Sequence, residues 1–195
     1  MMSSGHPETR KKILDAAWGL LERDAGSTVR MGDIAKAAGV SRQALYLHFP
    51  DRAGLLIATT RHIDETNDID ARLAASRAAA RGTDRLDAYI EAWGAYIPEI
   101  YGVARALMAM QDSDGAARAA WTNRMQAVRD GCAAAVDALD RDGALSPGLS
   151  VAQATDILWT LLSVRNWEQL TGDCGWPQAR YIAQTKRMAR RVLTG

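Results

Sequence analysis

The sequence predicts an all-α protein, and three observations support that prediction. Alanine, the strongest helix former, supplies 36 of the 195 residues, whereas the strand-favouring valine and isoleucine together supply 18. Apolar residues recur at steps of three and four along most of the chain, which is the spacing of one face of a helix. The sequence shows no sustained alternation of apolar and polar residues, the pattern of a half-buried strand. We therefore expect about nine helices, the first three or four short and the later ones long.

Length and composition limit the class of protein. A chain of 195 residues with 48% hydrophobic and 24% charged residues is typical of one globular domain or two closely packed ones. A formal net charge of +1 excludes a uniformly basic nucleic-acid coat and an acidic disordered tail. Two cysteines, Cys132 and Cys174, are too few for a disulfide framework, and the sequence shows neither a secretory signal nor a long apolar run. We expect a cytoplasmic protein without a membrane span.

The first helix of the chain is predicted from about Pro7 to Arg23. Ile13, Ala17 and Leu20 follow one another at steps of four and three, which places them on one helical face. The polar, glycine-containing stretch Asp24–Thr28 is expected to close this helix.

Three long apolar stripes predict the later helices. They run from Trp121 to Leu139, from Val151 to Leu170 and from Gln178 to Leu193. Proline disrupts a helix unless it lies in the first turn, because it has no N–H to donate. The prolines are therefore expected where helices begin or break: Pro7, Pro50, Pro98, Pro147 and Pro177.

The segment Asp33–Tyr46 has the residue spacing of a helix-turn-helix, two short helices that cross at a steep angle. Ala35 is small at the place where the second helix must cross the first. Gly39, four residues later, suits the left-handed backbone that commonly follows a helix. Ser41 then provides an oxygen that can accept a hydrogen bond from an N–H in the first turn of the second helix. The apolar residues expected to fill the wedge between the helices are Ile34, Ala38, Val40 and Leu45.

This segment resembles the DNA-binding region of the TetR family of bacterial transcriptional regulators. The resemblance runs from about Arg10 to Leu56. Its most specific part is the series Ile34-Ala35-x-x-Ala38-Gly39-Val40-Ser41-x-x-Ala44-Leu45-Tyr46-x-His48-Phe49-x-x-Arg52-x-x-Leu55. The resemblance implies a helix-turn-helix DNA-binding domain at residues 1–55, followed by a helical ligand-binding and dimerisation domain at residues 56–195.

Two positions depart from the family's pattern. Where relatives commonly have Ser or Thr at the start of the second helix, this chain has Arg30. Thr28 is then the expected cap, and Arg30 is expected to reach a phosphate. The position before His48 is often aromatic in relatives and is Leu47 here, which removes one phosphate or thymine contact that an aromatic residue could make.

Eight residues make up the predicted DNA-binding set. Arginine pairs with guanine O6 and N7, and glutamine pairs with adenine N6 and N7, so Arg42 and Gln43 are expected at base edges or adjacent phosphates. By resemblance, Tyr46 and His48 donate to phosphate oxygens, and Arg52 lies near a helix N-terminus that also attracts phosphate. The alternative for each is a solvated or packed residue without a DNA contact. The set is Thr28, Arg30, Ser41, Arg42, Gln43, Tyr46, His48 and Arg52.

Large side chains concentrate after residue 90 of this alanine-rich chain. Core packing explains any one of them, yet the resemblance implies a ligand pocket in this part, and aromatic walls suit a flat or hydrophobic molecule. Glu91, Glu99 and Asp156 are candidates to meet a cationic group on such a molecule. The predicted ligand-binding residues are Trp93, Tyr96, Tyr101, Met108, Trp121, Met125, Trp159 and Trp167.

The near-neutral total charge conceals an asymmetry. Residues 1–61 contain nine Lys or Arg and six Asp or Glu, a net charge of +3, and the rest of the chain carries −2. The positive part contains the helix-turn-helix, as expected of a surface that meets a polyanion.

These features together predict a ligand-responsive DNA-binding regulator, which in this family is most often a repressor. One recognition helix reads few base pairs, so a homodimer on a palindromic operator is expected. The last two stripes would pair across the two-fold axis as a four-helix bundle. A small apolar or aromatic ligand would then change the separation of the two recognition helices and release the DNA.

Other classes of protein have weaker support. The sequence has no phosphate loop, no Cys-x-x-Cys pair and no histidine spacing typical of a metal site, so no cofactor, metal or enzymatic activity is predicted. Asp112 and Asp114, beside Gly115, are interpreted as a solvated turn. One alternative is an all-α enzyme or small-molecule carrier with a vestigial helix-turn-helix, and another is a DNA-binding protein that acts without a ligand.

Overall fold

A computed structural model describes residues 5–23 and 28–195, and in those residues it contains helices and no β-strand. The all-α prediction is confirmed, with eleven α-helices among the described residues instead of about nine. The predicted turn at Asp24–Thr28 lies almost wholly outside them. The helices are α1 Gly5–Arg23, α2 Met31–Ala37, α3 Arg42–His48, α4 Arg52–Thr66, α5 Ile69–Arg72, α6 Ala74–Ala78, α7 Gly82–Met110, α8 Gly115–Arg141, α9 Val151–Leu161, α10 Val164–Glu168 and α11 Gln178–Leu193. A π-helical segment, Gln169–Asp173, follows α10.

The chain forms two compact units. Unit 1 contains residues 1–67 and 100–125, and unit 2 contains residues 68–99 and 126–195. The boundary predicted after residue 55 falls inside α4, so the assignment of separate functions to residues 1–55 and 56–195 stays a prediction. None of the described helices combines the length and the apolar character that crossing a bilayer requires.

In unit 1, α1 packs against α2 and α4. Ile13, Ala17 and Leu21 form its fully buried row, at steps of four. Leu45 of α3 and Leu55 of α4 also have no exposed surface. The apolar residues of the helix-turn-helix are therefore fixed on a small core that includes the first helix of the chain.

Pro98 does not break a helix, contrary to the sequence prediction, because α7 continues through it from Gly82 to Met110. A proline cannot donate to the carbonyl four residues earlier, which here belongs to Gly94. That carbonyl instead accepts a hydrogen bond from Nε2 of Gln178 at 2.6 Å, and Oε1 of Gln178 accepts from the indole of Trp167 at 2.8 Å. A side chain from α11 thus replaces the missing backbone donor.

The predicted continuous stripe Val151–Leu170 is divided into two helices, α9 and α10. Ser163 caps α10 by accepting from the backbone N–H of Asn166 at 3.1 Å. The buried carbonyl of Leu162 accepts from the indole N–H of Trp93 at 2.8 Å. The apolar periodicity persists across the division, which is why the sequence pattern did not reveal it.

The last predicted helix is confirmed as α11, and it presents two apolar faces. Tyr181, Ile182 and Ala189 are buried, and Gly94 of α7 lies so close that a Cβ there would stand 2.8 Å from Cγ1 of Ile182. Two other large apolar side chains of α11, Met188 and Val192, are 36% and 44% exposed.

The substitution Gln178→Ala tests how the helix continues through Pro98. It removes the donor to the Gly94 carbonyl, so we expect a loss of about 1–3 kcal/mol in unfolding free energy, measured by urea denaturation. In a Pro98→Ala background the loss should shrink, because an alanine at that position supplies its own N–H. The matched control is Gln126→Ala, whose exposed side chain donates to its helical neighbour Asp130. An equal loss in both backgrounds would contradict this explanation.

Candidate nucleic-acid interface

The turn between α2 and α3 is a Schellman motif. The N–H of Val40 donates to the carbonyl of Ala35 at 3.0 Å, and the N–H of Gly39 donates to that of Lys36 at 3.2 Å. This pair of bonds requires a left-handed residue after the helix, and Gly39 has φ +66°. The predicted glycine turn is confirmed, and it sets the angle at which α3 leaves α2.

Ser41 is the N-cap of α3, as the sequence predicted. Its extended backbone places Oγ to accept from the N–H of Ala44 at 3.0 Å. Leu45 then packs inward with no exposed surface, so the opposite side of α3 faces solvent. The residues exposed on this short helix are Arg42, Gln43, Tyr46 and Leu47.

The prediction that Thr28 caps α2 is wrong. The N-cap position is occupied by Arg30, whose side chain makes no capping hydrogen bond. Its carbonyl instead accepts from the N–H groups of Asp33 and Ile34, at 3.0 and 3.1 Å. Thr28 and Arg30 are both exposed.

Arg52 lies inside unit 1 instead of projecting outward. Its Nε donates to the carbonyl of Val29 at 2.6 Å, and its Nη1 lies 2.6 Å from both carboxylate oxygens of Asp114. The two side chains of the pair are only 18% and 10% exposed. Arg52 therefore joins the segment before α2 to the segment before α8, and its proposed phosphate contact would require this arrangement to open.

Asp114 is a structural residue, so its interpretation as part of a solvated turn is wrong. Besides binding Arg52, it accepts from the backbone N–H groups of Ala116 and Ala117 at the start of α8. Burial alone raises the pKa of Asp114, but the hydrogen bonds from Arg52 and from these backbone groups outweigh burial and leave the pKa below its ordinary value. The carboxylate is thus held in its charged form.

His48 is half-buried at the end of α3. Its ring lies 6.5 Å from the ring of Phe49, measured between centroids, and the guanidinium of Arg10 lies 4.4 Å above the Phe49 ring. The interpretation of Phe49 as a packing residue accords with its 4% exposure. Of the predicted phosphate-binding pair Tyr46 and His48, Tyr46 is the more exposed, at 49%.

Unit 1 also contains a small cavity of about 20 Å³. Its apolar walls come from α4, α7 and α8, and one side carries an ion pair in which Nη1 of Arg124 lies 2.7 Å from Oδ2 of Asp64. These two side chains are 15% and 13% exposed. The volume is enough for about one water molecule. The lining residues are Thr60, Ile63, Asp64, Ile100, Val103, Ala104, Leu107, Trp121 and Arg124.

Trp121 is the member of the predicted ligand-binding set that lines this cavity. Of the others in unit 1, Met108 is buried, Met125 is half-buried, and the half-buried Tyr101 lies 5.8 Å from the Arg105 guanidinium. Asp64 and Arg124 were missed because the search followed large apolar side chains. The sequence offers no signal that joins two charges sixty residues apart.

The remaining four predicted ligand-binding residues belong to unit 2. Tyr96 is fully buried beneath the guanidinium of Arg72, at 5.4 Å, and Trp159 is half-buried. The indole of Trp93 donates to the carbonyl of Leu162 between α9 and α10, and the indole of Trp167 donates to Gln178, whose amide bonds the Gly94 carbonyl. The carboxylates proposed for a cationic group are paired with basic residues: Glu91 with Lys186, Glu99 with Arg72, and Asp156 with Arg129.

Metal binding and cysteine chemistry have little support in the described residues. No group of three or more His, Cys, Asp or Glu there is placed to hold a metal ion. Burial raises the pKa of the Cys132 thiol to about 12, which keeps the sulfur protonated and unreactive. Cys174 is exposed.

The helices α2 and α3 and the turn between them define a helix-turn-helix, and known proteins show which family this region resembles. Residues 13–59 match the model of the bacterial regulatory proteins of the tetR family. The chain is 50% identical to the HTH-type transcriptional regulator AcrR of Shigella flexneri over 48 residues, which cover 25% of this chain and 22% of AcrR. It is 29% identical to the HTH-type transcriptional regulator CymR of Pseudomonas putida over 158 residues, covering 80% of this chain and 75% of CymR.

The similarity in fold extends over nearly the whole chain. The structure superposes with a TM-score of 0.75 on a Rhodococcus sp. protein assigned to the TetR-family transcriptional regulators, at 22% identity, covering 96% of this chain and 100% of the other. The resemblance seen in the sequence is confirmed for the N-terminal region, because residues 13–59 match the model of the TetR family. For the rest of the chain, the comparison with solved structures shows the same fold. In the AcrR alignment the chain spans only about a fifth of that relative.

Gly39→Ala tests whether the turn depends on backbone conformation. No atom lies within 4 Å of a Cβ built there, so the expected loss of about 1–2 kcal/mol in unfolding free energy comes from the left-handed backbone alone. The control is Gly148→Ala, where a Cβ also meets nothing within 4 Å but φ is not left-handed. Urea denaturation of both variants would make the comparison, and equal effects would contradict the assignment.

Proposed function

We propose that this protein is a DNA-binding transcriptional regulator, a homodimeric repressor that binds a palindromic operator and is released by a small ligand. The observation that carries the proposal is the exposed face of α3. Arg42 and Gln43 occupy its first turn, and the Schellman turn and the buried Leu45 fix its orientation. The first turn of a recognition helix is the part that reaches base edges in the major groove.

The side chains on this face suit DNA chemically. Arg42 can pair with guanine and Gln43 with adenine, and both are exposed. Tyr46, one turn further on, can donate to a phosphate oxygen and so fix the register of the helix on the duplex. Arg30 is also exposed at the start of α2, where it can add a salt-dependent phosphate contact.

We propose α9 and α11 as the main dimer surface, with α10 continuing the first of them. The exposed Met188 and Val192 give α11 an apolar strip that a second copy would bury. A closed two-fold dimer would present two recognition helices to the two halves of a palindrome. A cytoplasmic location and the absence of enzymatic activity belong to the same proposal.

The cavity in unit 1 is the proposed effector site. At about 20 Å³ it is too small for any metabolite, so a ligand that enters must move the helices that line it. A ligand of this kind binds the expanded state better than the closed one and therefore shifts the population toward the expanded state. Release of DNA follows if the closed state is the one that binds the operator.

Binding to DNA tests the proposal directly. The protein should bind a palindromic fragment upstream of its own gene or a neighbouring gene at low salt, and it should sediment as a dimer at micromolar concentration. Arg42→Ala is expected to relax base preference and to cost about 1–3 kcal/mol at the matched base. Arg81→Ala, an exposed arginine before α7 and outside both α3 and the proposed dimer surface, is the matched control.

Three results would count against parts of this proposal. Failure to bind any such palindrome would refute the regulator. A stable monomer would refute the dimer surface. Uniform weakening across DNA sequences by Arg42→Ala would make Arg42 a phosphate contact.

A further inference from the structure

We propose that the effector is an organic anion, a carboxylate with an apolar body, and that Arg124 is the residue that binds its charged end. This inference rests on the proposed function, because it assigns a ligand class to the cavity of unit 1. In the structure the guanidinium of Arg124 is paired with Asp64, so a ligand carboxylate must compete with a carboxylate of the protein itself.

The lining separates into an apolar part and a single charged part. Ile63, Ile100, Val103 and Leu107 supply aliphatic surface for the body of a ligand. Trp121 lies three residues before Arg124 on α8, so the two side chains lie on neighbouring positions of one helical face. An apolar wall with one ion pair at its edge selects a molecule that has a charge at one end only.

An anion fits this pair better than a cation does. A cation bound to Asp64 would leave the guanidinium of Arg124, which keeps its charge, uncompensated beside apolar walls. An anion bound to Arg124 displaces Asp64, and that residue lies in the last turn of α4 beside the exposed Glu65 and Thr66. A change of rotamer can therefore bring the Asp64 carboxylate to solvent, so the exchange leaves no buried charge alone.

The position of Asp64 makes it a weak competitor. The C-terminal end of a helix carries a partial negative charge, which disfavours an acidic side chain there. The last turn of α4 contains Asp64 and Glu65 and no basic residue. Arg124 therefore offsets the unfavourable charge of Asp64 at this end of α4. A ligand carboxylate does not lie at the helix terminus, so it can replace Asp64 on the guanidinium. A guanidinium also presents five donors, enough to hold both carboxylates during the exchange.

The exchange would act on α4, the helix whose first turn holds Arg52. Releasing Asp64 breaks the ion pair between the last turn of α4 and α8. The negative charge of Asp64 at the end of α4 is then no longer neutralised by Arg124. The anchored ligand would keep the cavity open in its expanded form. The ligand class and the movement of α4 are thus consequences of the same ion pair.

Binding to matched probes tests this inference. Phenylacetate, hexanoate and 2-naphthoate would be compared with their primary amides and with the corresponding amines, by calorimetric titration of the purified full-length protein. We expect at least one carboxylate to bind about tenfold or more tightly than its amide and its amine, since a hydrogen bond to a charged group is stronger than a neutral one. Equal or tighter binding of the amides or amines, or no binding of any carboxylate, would overturn the inference.

Two substitutions separate a binding role from a structural one. Asp64→Asn removes the competing charge and keeps an acceptor for Arg124, so carboxylates should bind more tightly to it than to the wild type. Arg124→Gln should abolish the preference for carboxylate over amide. Arg118→Gln, an exposed arginine earlier on α8, is the control and should leave the preference unchanged. Weaker carboxylate binding to Asp64→Asn, or an unchanged preference in Arg124→Gln, would refute the role of the pair.

The result is distinguishable from a failure of the proposed function. Operator binding is measured without ligand, so a protein that binds its palindrome but shows no carboxylate preference refutes the ligand class alone. A protein that binds no DNA but prefers carboxylates supports the binding site and refutes the regulator.

Discussion

Helix α4 is held by an ion pair at each end, and in both pairs the charge that α4 itself contributes is unfavourable to the helix dipole. Arg52 lies in its first turn and Asp64 in its last, although a helix favours acids at its start and bases at its end. The compensating charges come from Asp114, directly before α8, and from Arg124 within α8. All four side chains are between 10% and 18% exposed, so both ion pairs are largely shielded from solvent. The position of α4 therefore depends on the start of α8.

This constraint gives the proposed regulation a physical route within unit 1. At one end of α4, Arg52 also binds the carbonyl of Val29, directly before the N-cap of α2. At the other end, Asp64 forms part of the cavity wall. A short helix moves nearly as a rigid body, so a change at Asp64 alters the support of the helix-turn-helix at Arg52. The proposed effector would act on α4 at Asp64 and the proposed operator would act on it near Arg52. Both would then shift the same equilibrium between two positions of α4.

The parts of the structure that the sequence predicted well depend on local chemistry. Gly39 and Ser41 act within a few residues of themselves, through a left-handed backbone and a cap, so their roles follow from spacing alone. Pro98 was misjudged because its effect depends on a donor from Gln178, eighty residues away. Trp121 was found by size, but the charged residues of its cavity, Asp64 and Arg124, carry no local signal. Arginine at position 52 fitted the family's pattern, and only the fold revealed its pairing with Asp114.

The most direct test of this account is a double-mutant cycle on operator affinity. Arg124→Gln breaks the pair at one end of α4, Asp114→Asn weakens the pair at the other, and the double variant completes the cycle. If α4 transmits the state of one end to the other, the two changes in binding free energy should depart from additivity by about 0.5 kcal/mol or more. Additivity within about 0.3 kcal/mol, the behaviour of distant and independent sites, would contradict the account.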